Sequence, residues 1–195
     1  MTTRGDSTRE KILQAAVRLF HEYGYNATSV QDIVNAAAVP KGSFYNYFKS
    51  KEELAIAASD VFYSYALALL DIEGISSPVG RIRKYFRLTL KEMRRYGYVR
   101  GCLVGNFASE ITDATPALQR RVAELLDEAT RRIAVVISQA QEAGEIDPGV
   151  PTMDLSRFIL NSFYGAILRS KTDGTERPMK LLEQFALEPF MVKKR

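Results

Sequence analysis

The sequence predicts an all-α protein, and three observations carry that prediction. Apolar residues recur at helical spacing in almost every segment, Ser/Thr-x-x-Glu/Gln boxes stand at Ser7, Thr28 and Ser50, and no period-two alternation competes with either signal. There is no internal repeat and no low-complexity tract.

The first helix is predicted to start at Ser7, whose box partner is Glu10. Ile12, Ala16, Leu19, Phe20 and Tyr23 fall on one face, and Gly24 is placed to end it. The second starts at Thr28 with Gln31 as box partner and has Val30, Ile33, Val34 and Ala37 as its apolar stripe. Pro40 opens a short third helix, where a missing N–H is harmless. Phe44 and Phe48, four apart, point inward. Lys41, Gly42, Tyr45 and Asn46 then lie on the opposite side. Ser50 and Glu53 open a long fourth helix running to about Leu70.

Asp71 to Gly80 is rich in Gly, Ser and Pro and reads as a linker. Helical spacing resumes in RIRKYFRLTLKEMRRY, with Ile82, Tyr85, Phe86, Leu90 and Met93 on one face. Gly97 and Gly101 break it. A short helix follows through LVGNFASEI, then a long one from Pro116 to about Ala143. The turn GEIDPGVP leads to a helix from Met153 to about Lys171 and a last helix over about Arg177 to Phe190.

Composition narrows the function. Hydrophobic residues at 46% support a core, and 26% charged residues support a soluble surface. A formal net charge of +4 permits an anionic partner without requiring one. The apolar stretches are too short to cross a bilayer and the N-terminus MTTRGDSTREK has no apolar signal core, so a cytoplasmic location with no membrane partner is expected. One cysteine excludes an internal disulfide framework. The one histidine, His21, leaves little scope for a triad or a His-based metal site, and no G-x-G-x-x-G, P-loop or H-E-x-x-H pattern occurs. No catalytic residue, cofactor or metal is therefore expected, and the chain reads as a non-enzyme. Glu110, Asp113 and Asp127 are the acidic groups an enzyme would have to use, and acidic residues on helices mostly face solvent.

Two small helices joined by a short turn fit a DNA-reading helix-turn-helix, in which the second helix enters the major groove. Lys41 then offers a cation, Gly42 allows close backbone approach, and Ser43, Tyr45 and Asn46 offer hydrogen bonds to phosphates or base edges. Thr28 and Ser29 stand at a helix N-terminus suited to a phosphate, and Lys49 and Lys51 are placed for backbone neutralisation. Charge alone does not assign this face. The first 53 residues carry seven Lys or Arg against six Asp or Glu, and a Lys/Tyr/Asn face is more often simply solvated.

Residues from about Glu10 to Leu54 resemble the DNA-binding domain of the tetracycline-repressor (TetR) family. The resemblance rests on Phe20, Gly24-Tyr25, Thr28-Ser29-Val30 and Ile33, on the run Lys41 to Phe48, which includes Tyr47, and on Ser50-Lys51-Glu52. Ala38 stands where the family often has Gly, and Ala costs more in a left-handed conformation. The resemblance implies an all-helical, two-domain homodimer. Residues 1–53 would be the three-helix DNA-binding domain, with the helix-turn-helix at about 28–48. Residues 54–195 would bind an effector and dimerise. The DNA would be a double-stranded palindromic operator, and a small-molecule effector would release it.

In the second region, Leu155, Phe158, Ile159, Ser162 and Ala166 form a stripe with small members that suits a helix-helix interface between copies. Intramolecular core is the alternative, and one long helix can serve both. Tyr63, Phe86, Met93, Tyr96, Phe107 and Phe163 are pocket candidates, although aromatics at helical spacing are more often ordinary core. Cys102 follows Gly101 at a helix start, near Arg94, Arg95 and Arg100, where a thiolate is stabilised. RGCLVGNFASEITDATPALQRRV and GAILRSK resemble a subgroup of the family that includes electrophile-responsive and acrylate-responsive repressors. That resemblance makes Cys102 a sensor partnered by Lys171, or else an inert residue in a pocket for a reversible ligand. A helical scaffold, or an uncharacterised enzyme without sequence-specific DNA binding, is the alternative function.

Overall fold

The computed structural model describes residues 4–70 and 74–192, with side chains from residue 7 onward. Residues 71–73 of the expected linker, and the first three of the polar N-terminus, lie outside the described residues. Nine α-helices are described: α1 (Arg4–Tyr23), α2 (Val30–Ala36), α3 (Lys41–Tyr45), α4 (Lys51–Ala68), α5 (Pro78–Arg95), α6 (Leu103–Glu110), α7 (Pro116–Glu142), α8 (Thr152–Asp173) and α9 (Arg177–Phe185). A 3-10 turn, Glu188–Phe190, follows them. No strand occurs among the described residues, and the one isolated bridge pairs Ile146 with Met191.

Several helix ends differ from expectation, each for a local reason. Helix α1 begins at Arg4, so Ser7 lies inside it; a Ser in a helix interior is only mildly unfavourable. Tyr23 is 58% exposed because the buried stripe closes at Phe20 and the chain turns at Gly24, φ +84. The N-cap of α2 is Ser29, not Thr28, and its box partner is Asp32, not Gln31. Thr28 is buried, and its hydroxyl donates to the Gly24 carbonyl at 2.7 Å. The expected last helix stops at Phe185, where the 3-10 turn with Pro189 takes over; proline cannot supply the N–H that a continuing helix needs.

The chain forms two compact units. The first contains residues 1–64 and 102–125; the second contains 65–101 and 126–195. The core of the first unit is Ile12, Ala16, Phe20, Ile33, Phe44, Phe48, Leu54 and Phe107. Phe107 sets its edge on Phe20 at 5.4 Å and on Tyr25 at 6.0 Å. The start of α7 is tied to α4: Glu52 accepts the Ala117 and Leu118 N–H groups at 2.9 Å each, and Arg121 donates to Asp60 at 2.7 Å. Glu52 thereby caps a helix N-terminus with a carboxylate, the favourable sign there.

In the second unit Phe163 lies between Tyr85 and Phe86, with ring centroids at 5.1 and 5.4 Å. Ile82, Leu90, Met93, Ile133, Ile137, Ile159 and Leu182 complete that core. Ion pairs Arg83–Glu188, Arg87–Glu183 and Arg94–Glu176 join α5 to the α9 region. Partners rising along α5 while falling toward α9 show that the two helices run antiparallel. Glu145 caps α5 by accepting the Val79 N–H at 2.9 Å and the Ser77 hydroxyl at 3.0 Å.

Candidate nucleic-acid interface and sensor residues

The turn between α2 and α3 is set by one strained residue. Ala38 takes φ +54, a left-handed conformation that costs a non-glycine residue about 1–2 kcal/mol. The Val39 N–H reaches back to the Val34 carbonyl at 3.1 Å, closing α2. Pro40 then starts α3 with φ −63. Phe44 on α3 is fully buried and Phe48, just past its C-terminal end, nearly so, and together they pin the inner side of α3 to the core. The opposite side is thereby forced outward: Lys41, Gly42, Tyr45 and Asn46 are exposed, and Ser43 and Tyr47 half-buried. A Cβ built at Gly42 would meet nothing within 4 Å, and Gly42 has no positive φ. Neither space nor conformation inside the protein requires glycine there.

The residues expected to flank this face divide into two kinds. Lys49 is exposed, and its N–H donates to Glu53 at 2.7 Å. Lys51 is turned inward: its ammonium donates to the carbonyls of Tyr25 at 2.9 Å and Thr28 at 3.1 Å and lies 4.1 Å from the centre of the Tyr25 ring. Burial pulls Lys51 below the usual lysine range, and the Glu110 charge works against that pull. Ser29 is occupied with Asp32: the Ser29 N–H and hydroxyl donate to Asp32 Oδ2, and the Asp32 N–H donates back to the Ser29 hydroxyl. These bonds hold the Asp32 carboxyl below its ordinary value. Arg9 has its guanidinium 5.3 Å from the centre of the Phe48 ring, a contact that no spacing in the sequence announces.

The sensor candidates fall in both units. Tyr63, Cys102 and Phe107 belong to the first; Phe86, Met93, Tyr96, Phe163 and Lys171 belong to the second. Tyr63 is buried, and Phe107 is core against Phe20 and Tyr25. Phe86 and Phe163 stack on each other, and Met93 is buried on the same face of α5 as Phe86. Tyr96 caps α5, with the guanidinium carbons of Arg100 at 4.0 Å and Arg95 at 5.5 Å from its ring centre. Lys171 is half-buried.

Cys102 is the N-cap of α6. The residue is half-buried, yet its sulfur is densely surrounded, and that burial pushes the thiol above its ordinary value. The Gly105 and Val104 N–H groups pull the other way and lose. The arginines near Cys102 in sequence have partners of their own within the second unit. Arg94 is paired with Glu176, and Arg100 and Arg95 lie over Tyr96.

On α8, Leu155, Ile159 and Ala166 are buried within the chain, Ser162 is half-buried and Phe158 is 50% exposed. Phe158, Ser162 and Ala166 line an open groove of about 260 Å³ with Pro178, Leu181, Leu182, Phe185 and Ala186 of the α9 region. Leu181 and Phe185 are also exposed, so large apolar surface is left uncovered on this face.

Two short helices joined by a tight turn, the second clamped on its inner side by phenylalanine and exposed on its outer side, have the form of a helix-turn-helix DNA-binding unit. The comparisons agree. The model described as bacterial regulatory proteins, tetR family, matches residues 12–58, and the one described as tetracyclin repressor-like, C-terminal domain, matches residues 78–186. The transcriptional regulator AcuR of Cereibacter sphaeroides is 32% identical over 173 residues, 87% of this chain and 79% of that protein. The transcriptional repressor DhaR of Mycobacterium sp. strain GP1 is 32% identical over 91% of this chain and 87% of its own length. A regulatory protein TetR from Rhodobacter sphaeroides superposes with a TM-score of 0.87 at 30% identity, covering 94% of this chain and 98% of that one. The reduced form of NemR from Escherichia coli shares the fold, with a TM-score of 0.86 at 22% identity over 96% of this chain and 98% of its own. The chain belongs to the tetR family of bacterial regulatory proteins and is a DNA-binding transcriptional regulator. Among the described residues, no helix is long and apolar enough to cross a membrane.

Proposed function

We propose that this regulator is a cytoplasmic repressor that reads a palindromic operator as a homodimer and is released by a small-molecule effector. The observation that carries the reading is the outer face of α3. Lys41, Tyr45 and Asn46 are exposed there, and Gly42 is a glycine that the protein itself does not need. Close approach to a DNA backbone accounts for it. Ser43, Tyr47 and Lys49 border the same face. Thr28, Ser29 and Lys51, expected at the same interface, also hold bonds within the fold. The DNA-binding domain is residues 1–53, and 54–195 carries effector binding and dimerisation.

The α8–α9 groove is the natural dimer face. Its exposed Phe158, Leu181 and Phe185 surround the small Ser162 and Ala166, the arrangement that lets a second pair of helices approach closely. A two-fold dimer then matches a two-fold operator.

A reversible ligand is favoured over covalent sensing, because burial keeps the Cys102 thiol protonated. The second reading, modification of Cys102 with Lys171 as its partner, draws on the Val104 and Gly105 N–H groups directed at the sulfur. The test is a gel shift of the full chain on a duplex that it selects from a random-sequence pool. A palindromic selected sequence, bound in a salt-dependent manner, is expected; binding with no sequence preference overturns the proposal. Treating that complex with N-ethylmaleimide separates the two readings. Equal behaviour of wild type and Cys102→Ser favours the reversible ligand, and release of wild type alone favours modification.

A further inference from the structure

Glu110 ends α6, yet its carboxylate acts on a turn 84 residues earlier in the chain. The Asn26 N–H donates to Glu110 Oε2 at 2.7 Å. A Cβ at Gly24 would lie 2.1 Å from Glu110 Oε1, so the carboxylate fills the space that glycine leaves. In the same turn, the Tyr25 and Thr28 carbonyls accept from the Lys51 ammonium, whose charge Glu110 supports. The turn is thus bracketed, with a carboxylate on an N–H and an ammonium on its carbonyls. Asn106 adds a longer bond, its Nδ2 donating to the His21 carbonyl at 3.4 Å, while Phe107 supplies the packing.

The bracketed turn ends at Ser29, where α2 begins, and α3 follows α2 after four residues. A shift in the turn therefore moves both helices of the DNA-reading motif. We propose that Glu110 is a positioning residue for DNA binding: its carboxylate fixes the α1–α2 turn and with it the pose of α2 and α3. Glu110 need not touch DNA to do this.

The sign of one effect separates positioning from electrostatics. Removing a negative charge from a DNA-binding protein raises affinity if charge is all that matters. Positioning predicts the opposite. Glu110→Ala in the full chain is expected to weaken binding to the wild-type-selected duplex by about tenfold to a hundredfold, the range set by losing a hydrogen bond to a charged group. The slope of log affinity against log salt stays as in wild type, because no phosphate contact is lost. Glu110→Gln removes the charge but keeps an oxygen acceptor, and it restores most of the affinity. Gly24→Ala forces Glu110 aside, so it costs more affinity in wild type than in Glu110→Ala, where only the left-handed strain remains. Should Glu110→Ala fail to fold, the Asn26 amide signal in Glu110→Gln carries the test: it moves upfield when a charged acceptor becomes neutral. Wild-type or higher affinity in Glu110→Ala, or an unmoved Asn26 signal in Glu110→Gln, overturns the proposal.

Discussion

The α1–α2 turn and the outer face of α3 belong to one compact unit, and they use polar residues in opposite ways. In the turn, the Thr28 hydroxyl is bonded to the Gly24 carbonyl, Ser29 to Asp32, and Lys51 to two main-chain carbonyls. On α3, Lys41, Tyr45 and Asn46 project from a helix whose inner face is fixed by Phe44 and Phe48. Polar residues of one compact unit thus shape the fold in one place and are presented outward in the other. Proximity to a motif does not make a polar side chain a contact; what its hydrogen-bonding groups already hold decides.

The comparison breaks most severely at Phe44. Phe44→Ala removes a fully buried ring and is expected to cost about 3–5 kcal/mol of stability, with DNA binding lost alongside it. Thermal unfolding by circular dichroism measures this, and a loss of binding with full stability would contradict the anchoring role. Next comes the outer face itself. Tyr45→Ala and Lys41→Ala are each expected to lower affinity for the selected duplex about tenfold or more while the melting temperature and the dimer stay unchanged. A drop in melting temperature would move these residues into the fold.

The two flanking lysines sharpen the contrast. Lys51→Met is expected to destabilise by about 1–2 kcal/mol, since two hydrogen bonds from a half-buried cation are lost. Lys49→Ala leaves stability unchanged and makes the salt slope of DNA binding shallower by about one. The reverse pattern would exchange their roles. The smallest effect concerns Cys102. Its folded-state pKa lies above the ordinary value because of burial, so the protonated thiol is the form the fold favours. The stability this contributes is complete below the unfolded thiol pKa and is lost as pH rises through the higher folded value. Iodoacetamide is therefore expected to react more slowly than with an exposed cysteine at neutral pH, with a midpoint shifted to higher pH. A midpoint below that of an exposed thiol would favour the arginine-stabilised thiolate.

Local signals in the sequence located the helices and the inner face of α3. Phe44 and Phe48 four apart, Gly24 at a helix end and Pro40 at a helix start are all short-range effects, and each held. The cap at Ser29 was missed by one residue because Thr28 has the same hydroxyl chemistry. Which of the two is buried depends on the Gly24 carbonyl and the core below it. The roles of Lys51 and Glu110 were not legible, because their partners lie 23 or more residues away. For the same reason Phe107 could be read either as ordinary core or as a pocket wall. Periodicity shows that a side chain is buried, and the partner is set by how helices distant in sequence come together.

Gly42→Ala tests the central claim most directly. The added methyl meets nothing within 4 Å inside the protein, and alanine favours a helix over glycine by about 0.5–1 kcal/mol, so stability should hold or rise. If the outer face of α3 lies against DNA, the same methyl intrudes between backbone and duplex. Affinity for the selected duplex, titrated by fluorescence anisotropy beside wild type, is then expected to fall about tenfold or more. Unchanged affinity in the stably folded Gly42→Ala dimer would contradict the account.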